Sequence, residues 1–336
     1  MELKKRLFTV FGLGVLSLIG GMSPLHARTL AYSKPEKCVV LPWASETRKG
    51  VSPQGPEWFL VDLPKDRLYL ESGNDFDVFS FQGRYLKTFS PIDKSDNFYG
   101  FTSVELTQEG GLALLARLES PLEQRNKDNF EERARPGARL LVLSPDGKVK
   151  TDKEVLDPRQ PHSSYWLSGG VVYAIHEDGG FQALEKVSEG LLEDRRFGLF
   201  ASVADNTHRW LSHLEGLPVF HTKSRTYHDV KGHAHEDKGA LAFLLGHPYV
   251  EGVGAVAERK GRIFFQILSQ KDGEFSNAVF VEESGKRNYG LVELVTPDGE
   301  MNLAHGLALY VDPKGNLFEG VAQKDGYYVY RWKALP

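Results

Sequence analysis

Cysteine is almost missing: Cys38 is the sole one in 336 residues, so no internal disulfide can brace the fold and the chain must hold itself together by burying a core. Long hydrophobic runs are missing too. The longest uncharged apolar stretch, Leu7 to Gly21, falls short of the roughly 20 residues a bilayer span requires. Neither charge sign dominates, since 41 Lys and Arg are interleaved with 45 Asp and Glu for a net charge of −4, which leaves no electrostatic footprint for a polyanion. Nucleic acid is therefore not an expected partner. No Gly-x-Ser-x-Gly elbow and no phosphate-cradling glycine loop occurs, because the glycines fall at turns. Nucleophilic catalysis has little sequence support, and no glycine loop points to phosphate binding.

The N-terminus is present in a recognisable form. Lys4, Lys5 and Arg6 precede the apolar stretch, and Met22-Ser23-Pro24-Leu25-His26-Ala27 follows it, which is the three-part plan of a secretory signal peptide spanning residues 1–27. Cleavage after Ala27 places Leu25 where a small residue is preferred, and cleavage after Ala31 with Thr29 upstream is the alternative. Removal takes three basic groups against Glu2 and leaves a more acidic mature chain without a membrane span. A large exported protein without disulfides fits a bacterial periplasm or secreted location.

From the forties onward one unit recurs: an apolar or alternating run, a polar turn containing glycine, and another run. Trp58 to Asp62, Arg67 to Glu71, Phe76 to Phe81 and Tyr85 to Ser90 read as four short strands of one meander. Later units run over Gly100 to Leu118 with Arg139 to Lys150, Tyr165 to Leu184, Phe197 to Val230, Gly252 to Val295 and Gly306 to Trp332. Ser144-Pro145-Asp146-Gly147, Thr296-Pro297-Asp298-Gly299 and Asp312-Pro313-Lys314-Gly315 repeat one tight-turn pattern. The expected fold class is all-β, a single β-propeller domain over residues 28–336 with about six four-stranded blades. The last unit supplies three strands, so Cys38 to Pro42 is expected to add the fourth and close the ring.

Phe76-Asp77-Val78-Phe79-Ser80-Phe81-Gln82-Gly83-Arg84-Tyr85-Leu86 resembles the outer strands and turn of NHL-like six-bladed propeller repeats. Tyr310-Val311-Asp312-Pro313-Lys314-Gly315-Asn316-Leu317-Phe318 resembles the inner half of such a repeat. The resemblance implies a fold and no particular activity.

Propellers bind ligands at the mouth of a central channel lined by the beginnings of their innermost strands. Trp58, Tyr99, Trp166, Trp210 and His305 sit at or near the start of expected inner strands, and such flat amphipathic groups stack on sugars, aromatic ligands or peptide side chains. The same side chains equally suit wedges between blades. Seven of the 11 histidines fall between His208 and His247, and on a strand His233, His235 and Asp237 share one side, a candidate divalent-metal site with His221 or His228 as a further partner; a hydrated loop fits the same spacing. The expected function is an exported binding module or interaction scaffold, monomeric and without cofactor, that engages an envelope protein or glycan. The alternative is a metal-dependent hydrolase of the lactonase or esterase type, recruiting Glu57, Asn302 and His305 or the His233 to Asp237 segment.

Overall fold

In the computed structural model the described residues are 30–45, 47, 49–52, 55–56, 58–93, 98–118, 136–159, 161, 164–175, 181–187, 195–202, 219–221, 226–228, 234–236, 250–259, 262–271, 274–283, 289–297 and 309–336. They form antiparallel strands in chain order. After β1 (Glu36–Leu41) comes a four-stranded meander of β2 (Trp58–Asp62), β3 (Arg67–Ser72), β4 (Asp75–Phe79) and β5 (Tyr85–Phe89). A second meander holds β6 (Phe98–Leu106), β7 (Leu112–Leu118), β8 (Ala138–Leu143) and β9 (Val149–Val155). The third sheet has three strands, β10 (Ser164–Ser168), β11 (Val171–Ile175) and β12 (Phe181–Lys186).

Next come β13 (Arg195–Ser202) and a small sheet of β14 (Val219–His221), β15 (Thr226–His228) and β16 (Ala234–Glu236). The chain continues through β17 (Val250–Arg259), β18 (Arg262–Lys271), β19 (Glu274–Glu283) and β20 (Tyr289–Glu293), and ends on β21 (Leu309–Val311), β22 (Leu317–Gln323) and β23 (Gly326–Trp332). The expected unit from Phe197 to Val230 does not exist as one sheet: β13 crosses to pair with β17, giving a five-stranded sheet. Sequence locality favours pairing with the next strand, and nothing local marks a partner some fifty residues away.

The C-terminal sheet is completed from the opposite end of the chain. β1 pairs antiparallel with β23, so the order is β1-β23-β22-β21, as expected from the three-stranded last unit. The chain before β1 follows the same sheet: Tyr32 bridges Ala334, the Leu335 amide donates to Ala31 O at 2.9 Å, and Tyr32 Oη donates to Gly315 O at 3.0 Å.

Burial declines outward through each four-stranded sheet. Every residue of β2 is buried and β3 is buried except at its ends, whereas β5 is half-exposed and β9, Val149-Lys150-Thr151-Asp152-Lys153-Glu154-Val155, is mostly solvent-facing. The alternating charges of β9 suit an outer edge, where lysines and glutamates discourage pairing with another chain. The hydrophobic core consequently lies in the seams between successive sheets. One cluster joins the first meander to the second and to the C-terminal sheet, one joins the second meander to the third sheet, and one joins the five-stranded sheet to the C-terminal sheet.

First strands meet one another: β2 touches β6 and β21, and β6 touches β10 and β13, while β17, second in the five-stranded sheet, touches β21. The arrangement is a propeller-like succession of sheets whose first strands face inward.

Candidate functional site

Trp58 opens β2, Tyr99 is the second residue of β6, and Trp166 is the third of β10, so three of the five aromatic candidates fall on three successive first strands. Trp210 and His305 lie outside the described residues, as do Glu57 and Asn302. Trp58 and Trp166 are 5% and 8% exposed, and their ring centroids are 6.4 Å apart at an interplanar angle of 42°. The Trp58 Nε1–H donates to Phe101 O at 3.3 Å, tying β2 to β6. Phe101 packs on Phe76 at 5.4 Å, and Phe76 stacks on Phe89 at 5.5 Å. An aromatic wall thus fills the seam between the first two meanders.

Glu71 completes this end, and sequence reasoning missed it. It stands directly across from Trp58 in the β2–β3 register and is fully buried. Read alone, Leu68-Tyr69-Leu70-Glu71 ends in an ordinary solvent-facing charge; the signal was its register opposite a tryptophan, visible only once the turn at Leu63–Lys65 is counted. A carboxyl across from Trp58 sets one polar group within an otherwise apolar seam.

The opposite ends of the first strands are different. Asp62, Thr107 and Asp312 each end or follow a first strand, and each folds its side chain onto the following turn. Asp62 Oδ1 accepts from the Lys65 amide at 3.3 Å, Thr107 Oγ1 from the Gly111 amide at 2.8 Å, and Asp312 Oδ1 from the Lys314 and Asn316 amides at 2.8 and 2.9 Å. Burial raises the Asp62 carboxyl above its ordinary range, opposed by the Lys65 amide and the charges of Lys65 and Arg67.

Deeper at this end, Glu105 accepts from the Gly169 and Gly170 amides at 3.0 and 3.3 Å, joining β6 to the β10–β11 turn. Arg259, 3% exposed, donates from Nε and Nη2 to Val311 O at 3.0 and 2.7 Å. Desolvation lowers its guanidinium to about 10, against the opposing fields of Tyr310, Glu105 and Asp312. Glu105 in Val104-Glu105-Leu106 and Arg259 in Val256-Ala257-Glu258-Arg259 each look like the polar phase of a half-buried strand, which is why the sequence conceals them.

The histidine-rich segment reaches the described residues at three places. His221 ends β14, His228 ends β15 and pairs with Ala234, and His235 is the middle residue of β16, opposite Tyr227. His233 and Asp237 lie outside the described residues. Among the described residues no three His, Cys, Asp or Glu side chains are grouped to hold an ion.

No family model matches the chain, and no curated protein matches it. Among solved structures it is similar to the AfRom2 CNH domain, at 9% identity and a TM-score of 0.41 over 90% of this chain and 100% of that one. It is similar also to an endo-arabinase from Bacteroides thetaiotaomicron (14%, TM-score 0.33, 91% and 98% covered) and to the N-terminal domain of Nup159 (10%, TM-score 0.33, 91% and 97% covered). Such distant likenesses add nothing to what the strands themselves show. No helix among the described residues is long and apolar enough to cross a membrane.

Proposed function

We propose that the chain is a closed β-propeller of about six blades, built from NHL-like units, that works as a binding module in the bacterial envelope. Its ligand or partner is an envelope glycan or protein, engaged where the first strands begin. The observation that carries this reading is the placement of Trp58, Tyr99 and Trp166 on three successive first strands. Aromatic side chains on successive strands suit a sugar or aromatic group that presents an apolar face. The sequence sets Trp210 and His305 at the start of further expected inner strands, and the proposal assigns them to the same role. Contacts that run from β21 through β2 and β6 to β10 and β13 support closure of the ring.

Export is part of the proposal, and the packing of the N-terminal segment bears on where processing occurs. Leu30 packs against the core of the C-terminal seam and Ala31 O accepts the Leu335 amide, which favours cleavage after Ala27 over cleavage after Ala31. Two measurements test the reading together. N-terminal sequencing of the protein recovered from a periplasmic fraction should begin at Arg28; an uncleaved Met1 start in the cytosol would refute export. Soluble peptidoglycan fragments titrated against tryptophan fluorescence, alongside capture of partners from envelope extract, should give a saturable signal that Trp210→Ala weakens without lowering the melting temperature. Absence of any interaction by either route would refute the binding role.

A further inference from the structure

One seam of the molecule is held by a polar relay rather than by apolar packing alone. Between the five-stranded sheet and the C-terminal sheet, Gln266 Nε2 of β18 donates to Asn277 Oδ1 of β19 at 3.0 Å, and Asn277 Nδ2 donates to Glu319 Oε1 of β22 at 2.9 Å. All three side chains are at most 2% exposed. Glu319 Oε2 and Gln266 Oε1 are buried without a hydrogen-bond partner. The relay lies beside the apolar cluster of Phe264, Val279, Val281, Leu309, Leu317 and Tyr330.

A carboxylate in this position would be a charge in an apolar seam, facing one amide and, among the described residues, no cation. The charged and titratable side chains described on the packed strands are engaged elsewhere. Arg259 of β17 is directed at Val311 O, Arg331 of β23 pairs with Glu36 and lies over the Phe318 ring, and Lys37 of β1 lies over the Tyr328 ring. Asp312 caps its own turn, Tyr328 Oη donates to Asp325, and Tyr330 Oη accepts from Gln323 Nε2. Arg262 and Tyr32 interact with each other, and Tyr327, whose own hydroxyl is raised by burial and by the Glu319 field, supplies no positive charge. An isolated buried carboxylate costs several kcal/mol, and the inexpensive alternative is to keep the proton.

We infer that Glu319 is a neutral acid that fastens the C-terminal sheet, which unites the two ends of the chain, to the five-stranded sheet, and that its ionisation at rising pH loosens this seam. Desolvation pushes its carboxyl well above the ordinary range, with the Asn277 amide opposing. For an acid whose native pKa is raised, the native state keeps a proton that the unfolded chain has released. The stabilising contribution is therefore complete below the unfolded value of about 4.3 and is lost progressively as pH rises from there toward the native value. An exported protein would carry this sensitivity into a compartment whose pH follows the medium.

The test compares the melting temperature of the mature wild-type protein with that of Glu319→Gln across pH 4 to 9. Gln reproduces the shape and donor of the protonated acid and does not titrate. The two proteins should melt together at the acid end, and Glu319→Gln should be increasingly the more stable toward the alkaline end. A difference independent of pH would overturn the inference, because it would mean that Glu319 is ionised throughout. A variant that melts lower at neutral pH, with a wild type that chelator or sodium-for-potassium exchange shifts, would overturn it in favour of a cation-bound carboxylate. If Glu319→Gln fails to fold, the wild-type infrared spectrum decides: a protonated-carboxyl C=O band that fades at alkaline pH supports the neutral acid, and its absence at pH 7 refutes it.

Discussion

The two ends of the first strands are built on different physics. Where these strands begin, Trp58, Trp166, Phe101 and Phe76 meet through faces and edges, and Glu71 is enclosed among them. Where they finish, Asp62, Glu105, Thr107, Arg259 and Asp312 are directed at backbone groups of neighbouring turns and strands. Charged side chains committed to backbone amides and carbonyls hold sheets in place and are poorly disposed to catalyse anything, because movement toward a substrate would leave a buried group unpaired. At the beginning end the contacts are between rings, which fill the seam by area rather than by directed polar bonds. The difference sets directed polar fixing at one end against ring packing at the other, and the proposed binding role falls to the second.

The sharpest way to break that division is at Arg259. Arg259→Ala should lower unfolding stability by about 3–5 kcal/mol, read from the urea midpoint, because Val311 O loses two charge-assisted donors and Glu105 loses the field of a nearby cation. Binding by the folded fraction should be unchanged. A variant that unfolds normally yet fails to bind would move recognition to the finishing end.

Next in size is the coupling between the tryptophans. Trp58→Ala and Trp166→Ala remove buried rings 6.4 Å apart, and a double-mutant cycle should return about 0.5–1.5 kcal/mol of interaction beyond the two separate losses. A coupling indistinguishable from zero would show that the pair is two independent wedges rather than one platform.

Smaller still are the turn glycines that fix the strand ends. Ser80, Thr107, Ser144 and Asp312 each begin a turn in which a glycine three residues on takes positive φ: Gly83 at 78°, Gly110 at 82°, Gly147 at 87° and Gly315 at 84°. Gly315→Ala should cost about 1–2 kcal/mol from conformation alone, since an added Cβ meets nothing nearer than Phe264 at 3.5 Å. Gly147→Ala should cost more, because its Cβ would stand 2.7 Å from the Phe89 ring in the next sheet. Equal melting temperatures for the two would mean that the second meander is not clamped onto the first at this turn.

Legibility in the sequence followed the range of the interaction. The first meander was readable almost residue by residue, because Leu63-Pro64-Lys65-Asp66 and Gln82-Gly83-Arg84 announce turns between runs of the right length. The Ser144 and Asp312 turns were readable for the same reason, whereas Ser80-Phe81-Gln82-Gly83 and Thr107-Gln108-Glu109-Gly110 adopt the same turn without the proline that advertises it. The missing strand of the C-terminal sheet was found by counting, since an unpaired edge demands a partner and β1 was the spare strand. The β13–β17 pairing and the relay from Gln266 to Glu319 were hidden, because they depend on which distant strands share a seam.

The smallest expected effect concerns metal. Among the described residues no ion-holding group exists, and at the finishing end the acidic side chains already serve amides, so the binding reading expects the mature protein's melting curve to be indifferent to chelator. His235→Ala should leave both the melting curve and elemental composition unaltered. Stoichiometric metal in the wild type, lost in His235→Ala and restoring thermal stability when added back, would reverse the assignment: a metal can polarise a carbonyl and activate water, and a screen of lactones and esters would then take precedence over partner capture.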